Sequence, residues 1–192
     1  MANSFPKTLI LLLASTLLIA GCLARGGTMD ESTIIEDYEQ ALERFSGSGD
    51  RVDAGIERFI ESYGDLTHPE LAHRMREVYA EELFFNDTLH TFDNRDALVD
   101  YLARTGAGLD ESRVEVKQVI RDGADAFVRW NMEFRTRTTG REIHSKSIGM
   151  THLRFDDSGR IILHQDFWDS GHALYAHLPF VGFAVRQARK RL

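Results

Sequence analysis

Cysteine is nearly missing from this chain: of 192 residues only Cys22 carries a thiol. No disulfide can form within one molecule, so its core must hold itself together even in an oxidising compartment. Positive charge is also in deficit, with 23 Lys and Arg against 30 Asp and Glu and a formal net charge of −7. That balance argues against a nucleic-acid binder driven by phosphate neutralisation. The metal signatures H-x-x-x-H, H-E-x-x-H and clustered Cys/His are missing, so no metal is predicted, although His164 and Asp166 with His90 could in principle build a site. No G-x-S-x-G elbow supports a serine nucleophile. No organic cofactor motif, internal repeat or low-complexity segment is visible in the domain. What is present is the 43% hydrophobic and 28% charged composition of a soluble globular protein, at a length that favours one domain.

The first residues read as a targeting segment. Lys7 precedes an apolar run from Leu9 to Ala20 that is about as long as a signal-peptide core and too short to span a membrane comfortably. It ends in Ile19-Ala20-Gly21-Cys22, which resembles a bacterial lipobox. The expectation is a lipoprotein signal over 1–21 with lipidation at Cys22. A palmitate-type anchor would then hold the chain in the cell envelope, facing the periplasm or the exterior. An uncleaved anchor, or an ordinary secretory signal with a chance cysteine, remains open. Residues 22–33, small and polar, read as a tether.

Apolar spacing predicts helices from Ile34 to Phe45, from Val52 to Tyr63 and after His68-Pro69-Glu70, the last with a face of Leu71, Met75, Val78 and Tyr79. Leu83-Phe84-Phe85 is a short strand signal. Asp93 to Asp96 reads as a turn and helix cap before a short helix over Ala97–Ala103. From Arg113 the chain turns β-rich, with long strands separated by Asp122-Gly123, Thr139-Gly140 and Ser158-Gly159. Helices followed by an antiparallel meander give an α+β domain over 34–170, its helices packed on a curved sheet. Beyond it, 171–192 forms a basic tail in which Pro179 and Gly182 separate two helices. That tail either covers the sheet, the favoured reading, or lies on an anionic membrane.

The densest chemistry lies in the last predicted strand. His164, Asp166 and Trp168 alternate, so a proton-transfer group, a carboxylate and a large aromatic share one face. His164 and Asp166 are far enough apart along the strand that they need not bond directly. The phase that carries Ser147, Gly149 and Thr151 faces the same way and leaves room for a ligand. His144 and His152 belong to the opposite face.

Two segments carry a family resemblance. YAEELFFND (79–87) is similar to the helix-to-strand entry of the NTF2-like superfamily, the cone fold of SnoaL-like polyketide cyclases and ketosteroid isomerases. THLRFDDSGRIILHQDFW (151–168) resembles its closing hairpin, and the element order between them agrees. The resemblance covers about residues 51–170. It implies a cone-shaped pocket for a small apolar molecule, no cofactor, and a homodimer as a fair expectation. It also implies a general base at Asp87. The oxyanion donors of ketosteroid isomerases fall on Phe59 and Thr151, which cannot reproduce them, so steroid isomerisation by that route is not expected. Asp87, His164 and Asp166 are therefore the catalytic candidates, and His90, Trp168, Thr151 and Phe59 the ligand-binding ones. Proton-transfer catalysis of isomerase, dehydratase or cyclase type competes with plain small-molecule or lipid binding, and with a structural role at the envelope.

Overall fold

A computed structural model describes residues 31–138, 141–178 and 181–191. The predicted signal segment, Cys22, most of the tether, the Thr139-Gly140 turn and Pro179 lie outside the described residues. The chain divides into two compact units, 1–37 and 38–192. Of the first unit, 31–37 is described and is helical. Apart from those residues, everything below concerns the second.

Helix α1 (Glu31–Arg44) begins inside the stretch expected to be tether. Helix α2 (Val52–Tyr63) buries Val52, Ile56 and Phe59, the one-face spacing read from the sequence. Helix α3 (Leu71–Val78) starts two residues after Pro69 and buries Leu71, Met75 and Val78. Tyr79, expected on that helix face, instead has extended backbone and opens β1 (Tyr79–Asn86). After β2 (Thr91–Asn94) comes α4 (Arg95–Ala107), capped by the Asn94 side chain, which accepts from the Ala97 N–H at 2.9 Å. This helix, 13 residues long, extends past the expected Ala97–Ala103 at both ends. It runs through Gly106, which is glycine because an added Cβ would strike the Leu66 carbonyl.

The remaining strands are β3 (Glu111–Asp122), β4 (Asp125–Thr138), β5 (Arg141–Phe155) and β6 (Ile161–Trp168). The six form one curved sheet in the order β2-β1-β6-β5-β4-β3. It is mixed rather than wholly antiparallel, because β1 and β6 pair in parallel, with Phe85 opposite His164. A hairpin from early in the chain and a meander from late in it are joined by the last strand. Parallel neighbours need a long crossover, which α4 and β3 to β5 provide.

The inner face of the sheet and helices α2 to α4 bury one core around Met75, Val78, Leu98, Leu153, Phe155 and Ile161. On the outer face, Tyr38 and Leu42 of α1 and Phe45 just after it pack on Phe84 and Leu163. Beneath α1, His152 is buried, as the alternation predicts for the outer face. The Tyr38 hydroxyl is hydrogen-bonded to its Nδ1 at 2.7 Å, and its Nε2 lies 3.1 Å from Asp125 Oδ1. Arg154 holds Asp125 with two hydrogen bonds and caps the end of α1 through the carbonyls of Leu42 and Phe45. His144, on the same face, is exposed and lies against Glu133.

The chain ends in a short α5 (Ser170–Ala173), a 3₁₀ turn (Tyr175–His177) and α6 (Val181–Arg191). Gly182 does not break the last helix. It lies within α6, against the Ala176 carbonyl, where no side chain fits. Arg186 donates to that same carbonyl and Arg189 pairs with Asp169. The tail covers the sheet only in part: at α5 the Ser145 hydroxyl of β5 donates to the carbonyl of buried Ala173 at 2.6 Å, while α6 rests on the turn before it, leaving Val181 and Phe183 exposed. Among the described residues, no helix is long and apolar enough to cross a membrane.

Candidate functional site

Between the sheet and helices α2 and α4 lies a cavity of about 250 Å³ with mostly apolar walls. Helix α2 contributes Phe59 and Tyr63, α4 contributes Tyr101, Leu102 and Thr105, and β4 contributes Trp130. Strand β6 contributes His164, Asp166 and Trp168, so the alternation that put them on one face put them on the inner one. Phe59, Asp87 and Thr151 also line it. His90 does not: it is exposed, its ring set 4.7 Å from that of Tyr101 and stacked toward Phe92. Ser147 borders a separate open groove instead. Gly149 leaves no free space, because the Trp130 ring occupies the place a side chain would take. The groove beside Ser147, about 620 Å³, carries charges of both signs, with Lys146 paired to Glu133 and Arg189 to Asp169.

A chain of hydrogen bonds runs along the cavity floor. Asp166 stands opposite Thr151 in the β5–β6 register. The Thr151 hydroxyl donates to Asp166 Oδ1 at 2.5 Å and itself accepts from Trp130 Nε1 at 2.8 Å. Since an indole N–H only donates and a carboxylate only accepts, the hydroxyl has one orientation. His164 Nε2 lies 3.0 Å from the same Oδ1, so these two residues bond directly, a contact that their spacing along the strand left open. With Nε2 donating to the carboxylate, Nδ1 accepts from the Tyr79 hydroxyl at 2.8 Å. Tyr79 then accepts from Tyr63 at 2.5 Å. Every proton in the series points toward Asp166. Burial above all, helped by the nearby carboxylates, holds both phenols well above the usual tyrosine range, so they act as donors; their mutual contact raises Tyr79 and lowers Tyr63. No hydrogen bond to Asp166 Oδ2 forms among the described residues, and the side chain is 16% exposed on the cavity wall.

Asp87 is differently employed. Its Oδ1 accepts from the backbone N–H groups of Leu89 and His90, closing the tight β1–β2 loop in which Thr88 has a positive φ of 72°. Its Oδ2 accepts from the Tyr101 hydroxyl at 2.5 Å. Burial, then the bond to Asp87, raises the Tyr101 phenol too. The Trp168 indole donates to the Asp87 carbonyl at 2.8 Å, tying the end of β6 to the loop after β1. Asp87, the base that the family resemblance implied, thus has both carboxylate oxygens engaged, whereas Asp166 keeps one open.

The structure brings together Asp87, His164, Asp166, Trp168, Thr151 and Phe59, and leaves out His90. Sequence reasoning missed Tyr79, Tyr101 and the role of Trp130. Tyr63 lines the cavity, but its hydroxyl is taken by Tyr79. Among the described residues no group of three His, Cys, Asp or Glu side chains is placed to hold a metal ion.

No curated protein matches the chain. Its fold matches solved structures at low identity. A protein of Shewanella denitrificans OS-217 assigned to the SnoaL-like polyketide cyclases aligns with TM-score 0.55 and 17% identity, over 62% of this chain and 93% of that one. One of Jannaschia sp. CCS1 with the same assignment gives 0.51 and 14%, over 60% and 85%. An LEH-like epoxide hydrolase of M. tuberculosis gives 0.53 and 14%, over 66% and 87%. The family model for the SnoaL-like domain matches residues 56–164, from within α2 to His164 in β6. With more than half of its length matched, and with the mixed curved sheet and helical cover described above, the chain belongs to the SnoaL-like domain family.

Proposed function

We propose that the cavity binds a small, largely apolar molecule and that Asp166 accepts a proton from it, in a reaction of isomerase, dehydratase or cyclase type. The observation that carries this reading is the division of labour on one carboxylate. Oδ1 is fixed by Thr151 and His164, while Oδ2 takes no hydrogen bond from the described residues and Asp166 lines an apolar cavity. A carboxylate so placed is positioned by its neighbours and keeps a lone pair for the ligand. His164 serves as its positioning partner rather than as a second base, because both ring nitrogens are engaged.

The test begins with mass spectrometry of small molecules that copurify with the protein, followed by incubation of candidates in D₂O. Deuterium incorporation by the native protein, abolished in Asp166→Asn and retained in Asp87→Asn, supports the assignment. Exchange that survives Asp166→Asn rules it out. A non-catalytic binding role is the second reading. It is favoured by the full engagement of Asp87, which leaves the cavity one open carboxylate and no free acid partner. In that case an unchanged ligand copurifies.

The reading places the domain at the cell envelope through a lipid on Cys22. Labelling of growing cells with an alkyne fatty acid, lost in Cys22→Ser, tests that part separately.

A further inference from the structure

The charges around the cavity narrow its ligand beyond size and apolarity. Its lining includes two carboxylates, Asp87 and Asp166, and no lysine or arginine. The field they produce is felt nearby: both add to the forces keeping Tyr63 and Tyr79 protonated. An anionic ligand would be desolvated against like charge with no counter-ion. A wholly neutral hydrocarbon would bury Asp166 Oδ2 without a donor, at the cost of its lost water. The wall mixes aliphatic side chains such as Leu66, Leu102 and Met132 with aromatic rings, among them Phe59, Tyr63, Phe85, Tyr101, Trp130 and Trp168. Ring faces attract cations, more strongly once water is excluded.

We propose that this cavity selects a small organic cation, a protonated amine carried on a compact apolar body, with Asp166 Oδ2 as its counter-ion. The inference rests on the reading of the cavity as a ligand site, and adds the charge class of the ligand. The ammonium N–H satisfies Oδ2, its charge balances the carboxylates, and its apolar body fills the space between the rings.

Three probes of one shape separate the possibilities: benzylamine, protonated at neutral pH, benzyl alcohol and benzoate. The chain has two tryptophans and both line the cavity. Indole fluorescence and the two indole N–H signals therefore report binding inside it, apart from adsorption on the acidic surface. With the purified full-length protein, benzylamine is expected to bind at least about tenfold more tightly than benzyl alcohol, and benzoate not at all. In Asp166→Asn the advantage of the amine over the alcohol should vanish. Equal binding of amine and alcohol to the native protein, or any binding of benzoate, overturns the inference and leaves the ligand site standing. Indole signals unmoved by all three probes overturn the ligand site as well. The probe series on the native protein decides the matter even if the variant does not fold.

Discussion

Asp87 and Asp166 line the same cavity, but their neighbours give them different work. Backbone N–H groups and Tyr101 use up Asp87, making it the clasp of the β1–β2 loop. Thr151 and His164 hold Asp166 from one side only. The orientation of that arrangement depends on Tyr79, which is fully buried and touches no ligand space. Removing its hydroxyl leaves His164 Nδ1 and Tyr63 without a partner. Tyr79→Phe should therefore cost about 1–3 kcal/mol in urea unfolding. In ¹⁵N spectra of the imidazole, the native protein should hold the Nε2–H tautomer of His164; an Nδ1–H form would reverse the direction assigned to the whole hydrogen-bond chain. His164 and Asp166 were legible in the sequence because alternation along a strand is a local rule. Tyr79 was not, because its spacing from Leu71, Met75 and Val78 continues a helical face, and only the β1–β6 pairing shows that the backbone has already become extended.

At the level of elements, capping and close approach explain where the sequence expectations stopped short. Asn94 was recognised as part of a cap, and its side chain starts α4; Asn94→Ala should lower stability by about 1 kcal/mol in thermal melts. The far end of α4 was misjudged because Gly106 signals a stop, whereas here it lets the helix pass the Leu66 carbonyl. Gly149 was read as space for a ligand. It faces Trp130, its partner in the β4–β5 register, so the space is filled by this chain's own side chain. Gly149→Ala should force the indole aside, loosen its bond to Thr151 and cost about 1–3 kcal/mol, with a shifted Trp130 indole signal as the diagnostic. Long-range pairing of this kind leaves no mark on either segment alone. The parallel contact of β1 with β6 was invisible for the same reason, since nothing local distinguishes a parallel from an antiparallel neighbour.

For the molecule as a whole, pH acts most clearly through the outer face of the sheet. Burial is the main cause that holds His152 below its ordinary value of 6.5, partly offset by Asp125. The unfolded chain therefore takes up a proton at His152 before the folded one does. Its contribution to stability is complete above about pH 6.5 and is lost as pH falls from there through the depressed folded value. Denaturant melts at pH 7.5 and 5.5 should show the native protein weakening on acidification, and His152→Gln, which does not titrate, weakening less. An equal loss in both would assign the effect to other groups. The α+β class and the helix-then-sheet order were readable from periodicity, and the family from two motifs that lie at the two ends of the domain. Those same two ends meet in space. Strand β6 slots between β1 and β5, so until residue 168 has been made and placed, the β1–β2 hairpin and the β3–β4–β5 meander remain separate halves with bare inner edges. Synthesis thus has to pass through β6 before the two halves can join into one sheet. A ribosome that stalls before Ile161 would release not a weakened domain but two unfinished halves.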